Sequence, residues 1–354
     1  MNIGLLARKT LFSQPGGDSV QVVHTAEALQ RFGHRTFIIK AGDPLPEELD
    51  LLHFFNIGRP ADALPYFERF KGQKVISTVY VEYATADRQR FPFLFSLFGE
   101  HGMEYIKTIA RARNKTDRWP ELSYLLKGQR KSMMYLLNHC DRIITSSMSE
   151  LQRMSTWAKL PGKSLRDRHR LVPLGIDSDF IHTPQDTAER KGLLMVGRLE
   201  YLKNQLSVIQ WAKQMDWPLT VVGDKNINQE EYYERCLAEA GPLTKFLPFQ
   251  NTTDIVRLMD QHKVFIVPSL FESYSLVAWE AAARGMAVVA NRVADMSETL
   301  APVAEFTDFK VPHVAQSVIE FELAQEKPHT KKSQAWFENY TWDEIGQKID
   351  EAYR

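Results

Sequence analysis

At 354 residues the chain is too long for one ordinary hydrophobic core and suits two α/β domains. Its 44 Lys and Arg balance 44 Asp and Glu, which argues against a dedicated nucleic-acid binder or a general polyanion partner. The only cysteines are Cys140 and Cys236, so no disulfide framework is present and a reducing cytoplasm is the simplest home.

The opening MNIGLLARK has a strand pattern over residues 3–7 and is too short for a signal peptide. No run is long enough to span a bilayer, so any membrane association is expected to be peripheral. The loop SQPGGDS follows, then a helix with Val22, Val23, Ala26 and Leu29 on one face, stopped at Gly33, and a second strand over 35–39. A strand, Gly-Gly turn and helix form a doubly wound unit, in which ligands sit at the carboxyl ends of strands. Gly16 and Gly17 let backbone approach a ligand, although a bare Gly-Gly pair also serves as a plain turn. The turn is not Gly-x-Gly-x-x-Gly, so a nicotinamide cofactor is not indicated. Strands over 51–55, 75–79, 142–145 and 170–172 bring the first domain to six, a Rossmann-like arrangement.

Between the fourth and fifth of these strands the pattern is least regular. Phe91, Phe93, Phe95 and Phe98 crowd together, and Lys107, Arg111, Lys115 and Arg118 recur beside a face of Met103, Ile106 and Ala110. From His101 to Lys131 eight Lys or Arg face three acids. This stretch reads as a basic, aromatic-rich surface for anionic lipid headgroups or a phosphate-bearing acceptor, or as a solvated helix face over ordinary core.

The segment RLVPLGID, 170–177, ends a strand at Pro173 and Gly175 and marks a domain boundary, with Asp177 able to cap the turn. The second domain opens with a strand over 193–196 that exits through Gly197 into Arg198, with Lys203 five residues on. Two cations so spaced can meet one anionic group, Arg as a fork and Lys as a point charge, and each alone would be merely solvated. A strand over 219–222 exits at Gly223, and 245–249 ends at Phe249. The apolar run 264–267 stops at Pro268, and the loop 270–274 leads to a helix over 276–284 with Ser275 as cap and Gly285 as stop. Glu272 lies just before that helix and Glu280 within it. The amides around Ser273, Tyr274, Ser275 and Leu276 carry the positive end of the helix dipole, which suits sugar hydroxyls or phosphate oxygens. No compact His, Asp or Cys cluster would bind a metal. Residues 336–353 read as one or two amphipathic helices, with Trp342 a core residue.

Glu272 and Glu280, separated by seven residues, together with Gly197-Arg198, Lys203-Asn204 and Pro-x-Gly-x-Asp at 173–177, resemble the retaining glycosyltransferases of family 4, the glycosyl transferases group 1. The resemblance implies a GT-B fold, two Rossmann-like doubly wound domains facing across a cleft. Residues 1–175 would bind the acceptor, 176–335 the nucleotide sugar, and 336–354 would return to the first domain. It further implies that Arg198 and Lys203 hold the donor diphosphate, Glu272 and the amides after it the donor sugar, and Glu280 the ribose. Gly16 and Gly17 would face the donor phosphates, Gly223 the donor site, and the segment ending at Phe249 the base. Family members carry a histidine after the fourth strand, where it touches the donor sugar; here Tyr80 stands near that place, either as an acceptor or donor-sugar contact or simply packed, and Glu82 is the nearest carboxylate for such a contact.

On that footing the expected activity is metal-independent hexosyl transfer without a cofactor, from a UDP-sugar ahead of a GDP-sugar, to a glycan or lipid-linked hydroxyl. The expected setting is envelope polysaccharide or glycolipid assembly in the cytoplasm, at the inner face of an anionic membrane contacted through 103–131. An epimerase or phosphorylase of the same fold, or a silent sugar-nucleotide-binding scaffold, are the alternatives.

Overall fold

In a computed structural model, all residues are described except 15, 82–83, 85–86, 89–90, 159–166, 182–188, 227–228 and 329. The chain divides into two compact units, Met1–Gly175 with Trp342–Arg354, and Ile176–Thr341. Each is built on a six-stranded sheet whose pairings are all parallel.

The first sheet runs β2-β1-β3-β4-β5-β6, from β1 (Asn2–Ala7), β2 (Arg35–Lys40), β3 (Leu51–Phe55), β4 (Gln73–Ser77), β5 (Arg142–Thr145) and β6 (His169–Leu171). The helices are α1 (Gly17–Arg31), α2 (Pro60–Arg69), α3 (Pro92–Arg113), α4 (Leu122–Asn138) and α5 (Met148–Ala158). Strand order reverses between β1 and β3, where a doubly wound sheet opens a crevice at its carboxyl edge. Every residue of β3 is buried, as a strand covered on both faces requires. His53 is tolerated there because its Nδ1 and Nε2 lie 2.8 Å from Tyr353 Oη and Ser77 Oγ.

The second sheet runs β12-β11-β10-β7-β8-β9. Its strands are β7 (Leu193–Val196), β8 (Leu219–Val222), β9 (Thr244–Leu247), β10 (Val264–Val267), β11 (Ala287–Asn291) and β12 (Glu305–Thr307). Around it lie α6 (Gln205–Gln214), α7 (Glu230–Glu239), α8 (Thr252–Gln261), α9 (Leu276–Ala283), α10 (Ala294–Thr299), α11 (Pro312–Ala324) and α12 (Gln334–Phe337). Here the order reverses between β7 and β10. α13 (Trp342–Tyr353) packs on the first unit, where Trp342 is buried and stacks on His24 with ring centroids 5.1 Å apart.

Three elements differ from the sequence reading. β4 stops at Ser77 and not at Val79, because Val79 takes φ +41, outside any strand. α3 begins at Pro92, well before the expected helix, and is broken by non-helical Gly99. β12, three residues long, carries too little apolar pattern to be read as a strand.

Candidate functional site

The strand exits that flank the β7/β10 reversal bring together most of the residues singled out in the second domain. β7 leaves through Gly197, at φ +151, into exposed Arg198, whose carbonyl accepts from Gln205 Nε2 at 2.8 Å. β8 leaves through Gly223, where a Cβ would lie 2.2 Å from the Gly197 carbonyl oxygen. The glycine at 223 is thus demanded by backbone packing between two strand exits, whatever binds there.

After Arg198 a 3-10 turn, Tyr201–Lys203, ends at Asn204 in the left-handed region, φ 52, where α6 starts. The loop leaving β10 lies against this turn. Leu270 N–H donates to the Leu202 carbonyl at 2.8 Å, and Asn204 Nδ2 to the Pro268 carbonyl at 3.2 Å. These bonds bring the Lys203 ammonium onto the Glu272 carboxylate as an ion pair between side chains 30% and 15% exposed. Buried Ser269 donates to the same Glu272 oxygen at 3.4 Å, and Asn291, at the end of β11, fixes the Ser269 carbonyl at 3.0 Å. Ser269 and Asn291 were not singled out from sequence; a polar residue ending the apolar run of β11 was the available signal.

The β10 loop then delivers the first turn of α9, whose N–H groups have no intrahelical partner. Ser275 precedes it as N-cap without a side-chain cap bond. Ser273 is half-buried, Leu276 is buried, and Tyr274 is buried with its ring stacked on Trp279 at 5.8 Å. Glu280 sits in the second turn, half-buried. Burial, and after it the nearby charge of Asp177, push its carboxyl up to about 8. Phe249, beyond β9, leaves its ring 69% exposed while its N–H donates to Asp224 Oδ1 at 3.1 Å, tying the exits of β8 and β9 together. Among the described residues, no group of three or more His, Cys, Asp or Glu is placed to hold a metal ion.

Residues 178–335 match the family model for glycosyl transferases group 1. The second unit carries a group 1 glycosyltransferase domain. Arg198, Lys203, Glu272 and Glu280 all fall inside it, whereas Gly16, Gly17 and Tyr80 lie outside the matched residues. A D-inositol 3-phosphate glycosyltransferase of Acidothermus cellulolyticus is 31% identical over 181 residues, covering 44% of this chain and 39% of that protein. One from Pseudarthrobacter chlorophenolicus is 28% identical over 152 residues, covering 38% and 36%. The chain therefore spans well under half the length of the curated relatives it matches. Among solved structures, sucrose-phosphate synthase from Thermosynechococcus elongatus superposes with TM-score 0.74 at 16% identity, covering 100% of this chain and 98% of that one. HepE from Anabaena, in complex with UDP-glucose, does so with TM-score 0.70 at 15% identity, covering 99% and 98%. At such identities the likeness establishes the fold, which is GT-B.

Outside the group 1 domain, the carboxyl edge of the first sheet holds the remaining sequence candidates. Gly16 and Gly17 cap and start α1 in the turn leaving β1. That turn is organised by Arg8, which sequence reasoning missed. Its guanidinium forks onto Asp18 at 2.6 and 3.0 Å and donates to the Thr10 and Gln14 carbonyls at 2.9 and 2.7 Å. Tyr80 is 4% exposed, and its hydroxyl donates to Glu100 at 2.8 Å. Its side chain is therefore packed and hydrogen-bonded within the fold. Glu82 lies outside the described residues.

Proposed function

We propose that this protein is a retaining glycosyltransferase that moves a sugar from a nucleoside diphosphate donor onto an acceptor hydroxyl. The observation that carries the reading is the meeting of Lys203 and Glu272 at the β7/β10 reversal, beside the Arg198 exit and the first turn of α9. In this reading Arg198 and Lys203 hold the diphosphate, with the α9 N–H groups beside it. Glu272 holds the sugar hydroxyls and Glu280 the ribose. The bond from the anomeric carbon to the diphosphate breaks, and the bond to the acceptor oxygen forms on the same face. The departing phosphate takes the acceptor's proton, and the two cations offset its growing charge without calling on a metal. UDP is favoured as the nucleotide: HepE carries UDP-glucose, and a trehalose-6-phosphate protein of E. coli carries UDP-2-fluoro glucose. Glu272→Ala is expected to lower transfer from UDP-sugars about 100-fold or more with the melting temperature kept. Unchanged turnover would remove its role.

The acceptor we favour is a glycan or lipid-linked hydroxyl of envelope polysaccharide or glycolipid assembly, bound by the first unit at an anionic membrane face. Support comes from how the charges of 91–131 sort themselves. The carboxylates are all partnered: Glu100 by Tyr80, Glu104 by Lys107, Asp117 by Arg59 and Arg111, and Glu121 by Arg69 and Arg118 at the surface. The exposed charges of this stretch are Arg113, Lys115, Arg118, Arg130 and Lys131, all cationic and only Arg118 of them ion-paired among the described residues, and the same stretch leaves Phe93, Leu97, Leu122 and Leu126 each at least 65% exposed. Co-sedimentation with phosphatidylglycerol vesicles, but not with phosphatidylcholine ones, is expected; equal recovery with both would contradict an anionic face. No helix among the described residues is long and apolar enough to cross a membrane.

A further inference from the structure

The transferase reading names no group at the carboxyl edge of the first sheet as essential, yet the backbone there is under strain. Two residues past β4, Val79 has φ +41. A β-branched side chain in the left-handed region is a genuine outlier, kept only where the surroundings over-determine it. Glycine would take that conformation freely.

What over-determines it is Glu150, in the first turn of α5 and 0% exposed. One of its carboxylate oxygens accepts from Thr78 Oγ1 at 2.5 Å and from Tyr80 N–H at 2.7 Å, the residues on either side of Val79. The other accepts from the N–H and Oγ of Ser146, both at 2.9 Å, just beyond β5. A single buried carboxylate thus ties together the exits of two neighbouring strands. Tyr80 is gripped from its other side as well. Arg153 donates to its carbonyl at 3.0 Å and lies 5.0 Å over its ring. Glutamine has the same shape, but its amide carries two donors in place of an acceptor. However it is turned, that amide must face one of the two backbone N–H groups.

We propose that Glu150 is a positioning residue for sugar transfer, holding the 78–80 turn in its left-handed shape at the ligand-binding edge of the first sheet. This rests on the transferase reading. The edge is where doubly wound sheets bind ligands, and the strained turn faces it directly at the end of β4. Glu150 itself, wholly buried, acts only through that turn.

The test uses the full chain with UDP-glucose as donor and water as acceptor, giving UDP and glucose, alongside hydrogen exchange of peptides covering 78–80. Glu150→Gln is expected to lower kcat about 10- to 100-fold, the scale of a small misplacement. KM for UDP-glucose should hold within about twofold, since the donor grip lies in the other unit. Exchange at 78–80 should rise. Adding Val79→Gly, which adopts the turn without help, should recover part of the lost kcat, a coupling that a general loss of stability would not produce. Should Glu150→Gln fail to fold, Thr78→Val removes one of the four bonds and is expected to give the same pattern at smaller size. A lowered melting temperature with kcat intact, or a double variant worse than the sum of its parts, would overturn the proposal. Wild-type protein that neither binds UDP nor turns over UDP-glucose defeats the transferase reading instead. Exchange at 78–80 then decides Glu150's hold alone, raised exchange in the Gln variant supporting it and unchanged exchange refuting it.

Discussion

Glu280 and Glu272 sit eight residues apart on one loop-helix connection, and their surroundings divide them. Glu272 meets a cation, Lys203, while Glu280 meets low-polarity protein and a second acid, Asp177, and its carboxyl is pushed up to about 8. A carboxyl so raised keeps its proton to a higher pH than an ordinary glutamate and can then donate as well as accept, which in the transferase reading suits the vicinal hydroxyls of a ribose. The sign of the pH effect follows. A carboxyl whose folded value lies above its ordinary 4.5 favours the protonated fold, so its contribution is complete below 4.5 and drains away as pH rises through about 8. Glu280→Gln, neutral at every pH, is expected to flatten that decline and to melt higher than wild type at the alkaline end. Parallel melting profiles across this window would contradict the assignment. A perturbed value does not by itself mark a site. His53 is pushed down to about 3 by burial, yet it serves as a neutral bridge between Ser77 and Tyr353.

The β1–α1 turn offers a clean test of whether backbone meets ligand. A Cβ on Gly17 would touch nothing within 4 Å, and its φ lies outside the left-handed region. Gly17→Ala is therefore expected to leave stability unchanged or to raise it by about 0.4–1 kcal/mol, through a stiffer unfolded chain. If the turn meets the donor phosphates or the acceptor, turnover should fall while the melting temperature holds; unchanged kinetics would make it a plain turn. Such elements also show what sequence can carry. The buried strands of both sheets were legible because a parallel strand covered on both faces must be a short apolar run, as 264–267 and 51–55 are. The loop bearing Glu272 was legible because it follows such a run. Asn291 and Glu150 were not, since each acts on residues that only the fold brings near: Asn291 on Ser269, twenty-two residues back, and Glu150 on Thr78, more than seventy residues back. The inward pairing of Lys107 with Asp87 was hidden in the same way, so the charge of 101–131 looked more exposed in sequence than it is.

Across the molecule, each unit has its own hydrophobic core, one around Phe54, Tyr124 and Ile143, the other around Leu193, Val221 and Ile266. Each sheet turns its strand order at one place, and the group 1 match covers only the second unit. Sequence patterning reached that two-unit plan because both halves repeat the same strand-helix grammar. The transferase reading requires Arg198 and Lys203 to meet a diphosphate at the second reversal. A ligand that binds only the native state at about 100 times its dissociation constant adds about 2.7 kcal/mol of stability. The most direct measurement is the melting temperature of wild type, Arg198→Ala and Lys203→Ala with UDP, and with uridine as a control lacking the diphosphate. UDP is expected to raise the wild-type midpoint well beyond uridine, and either substitution is expected to remove most of the difference. Equal shifts with UDP and uridine, or variants that respond to UDP as wild type does, would contradict it.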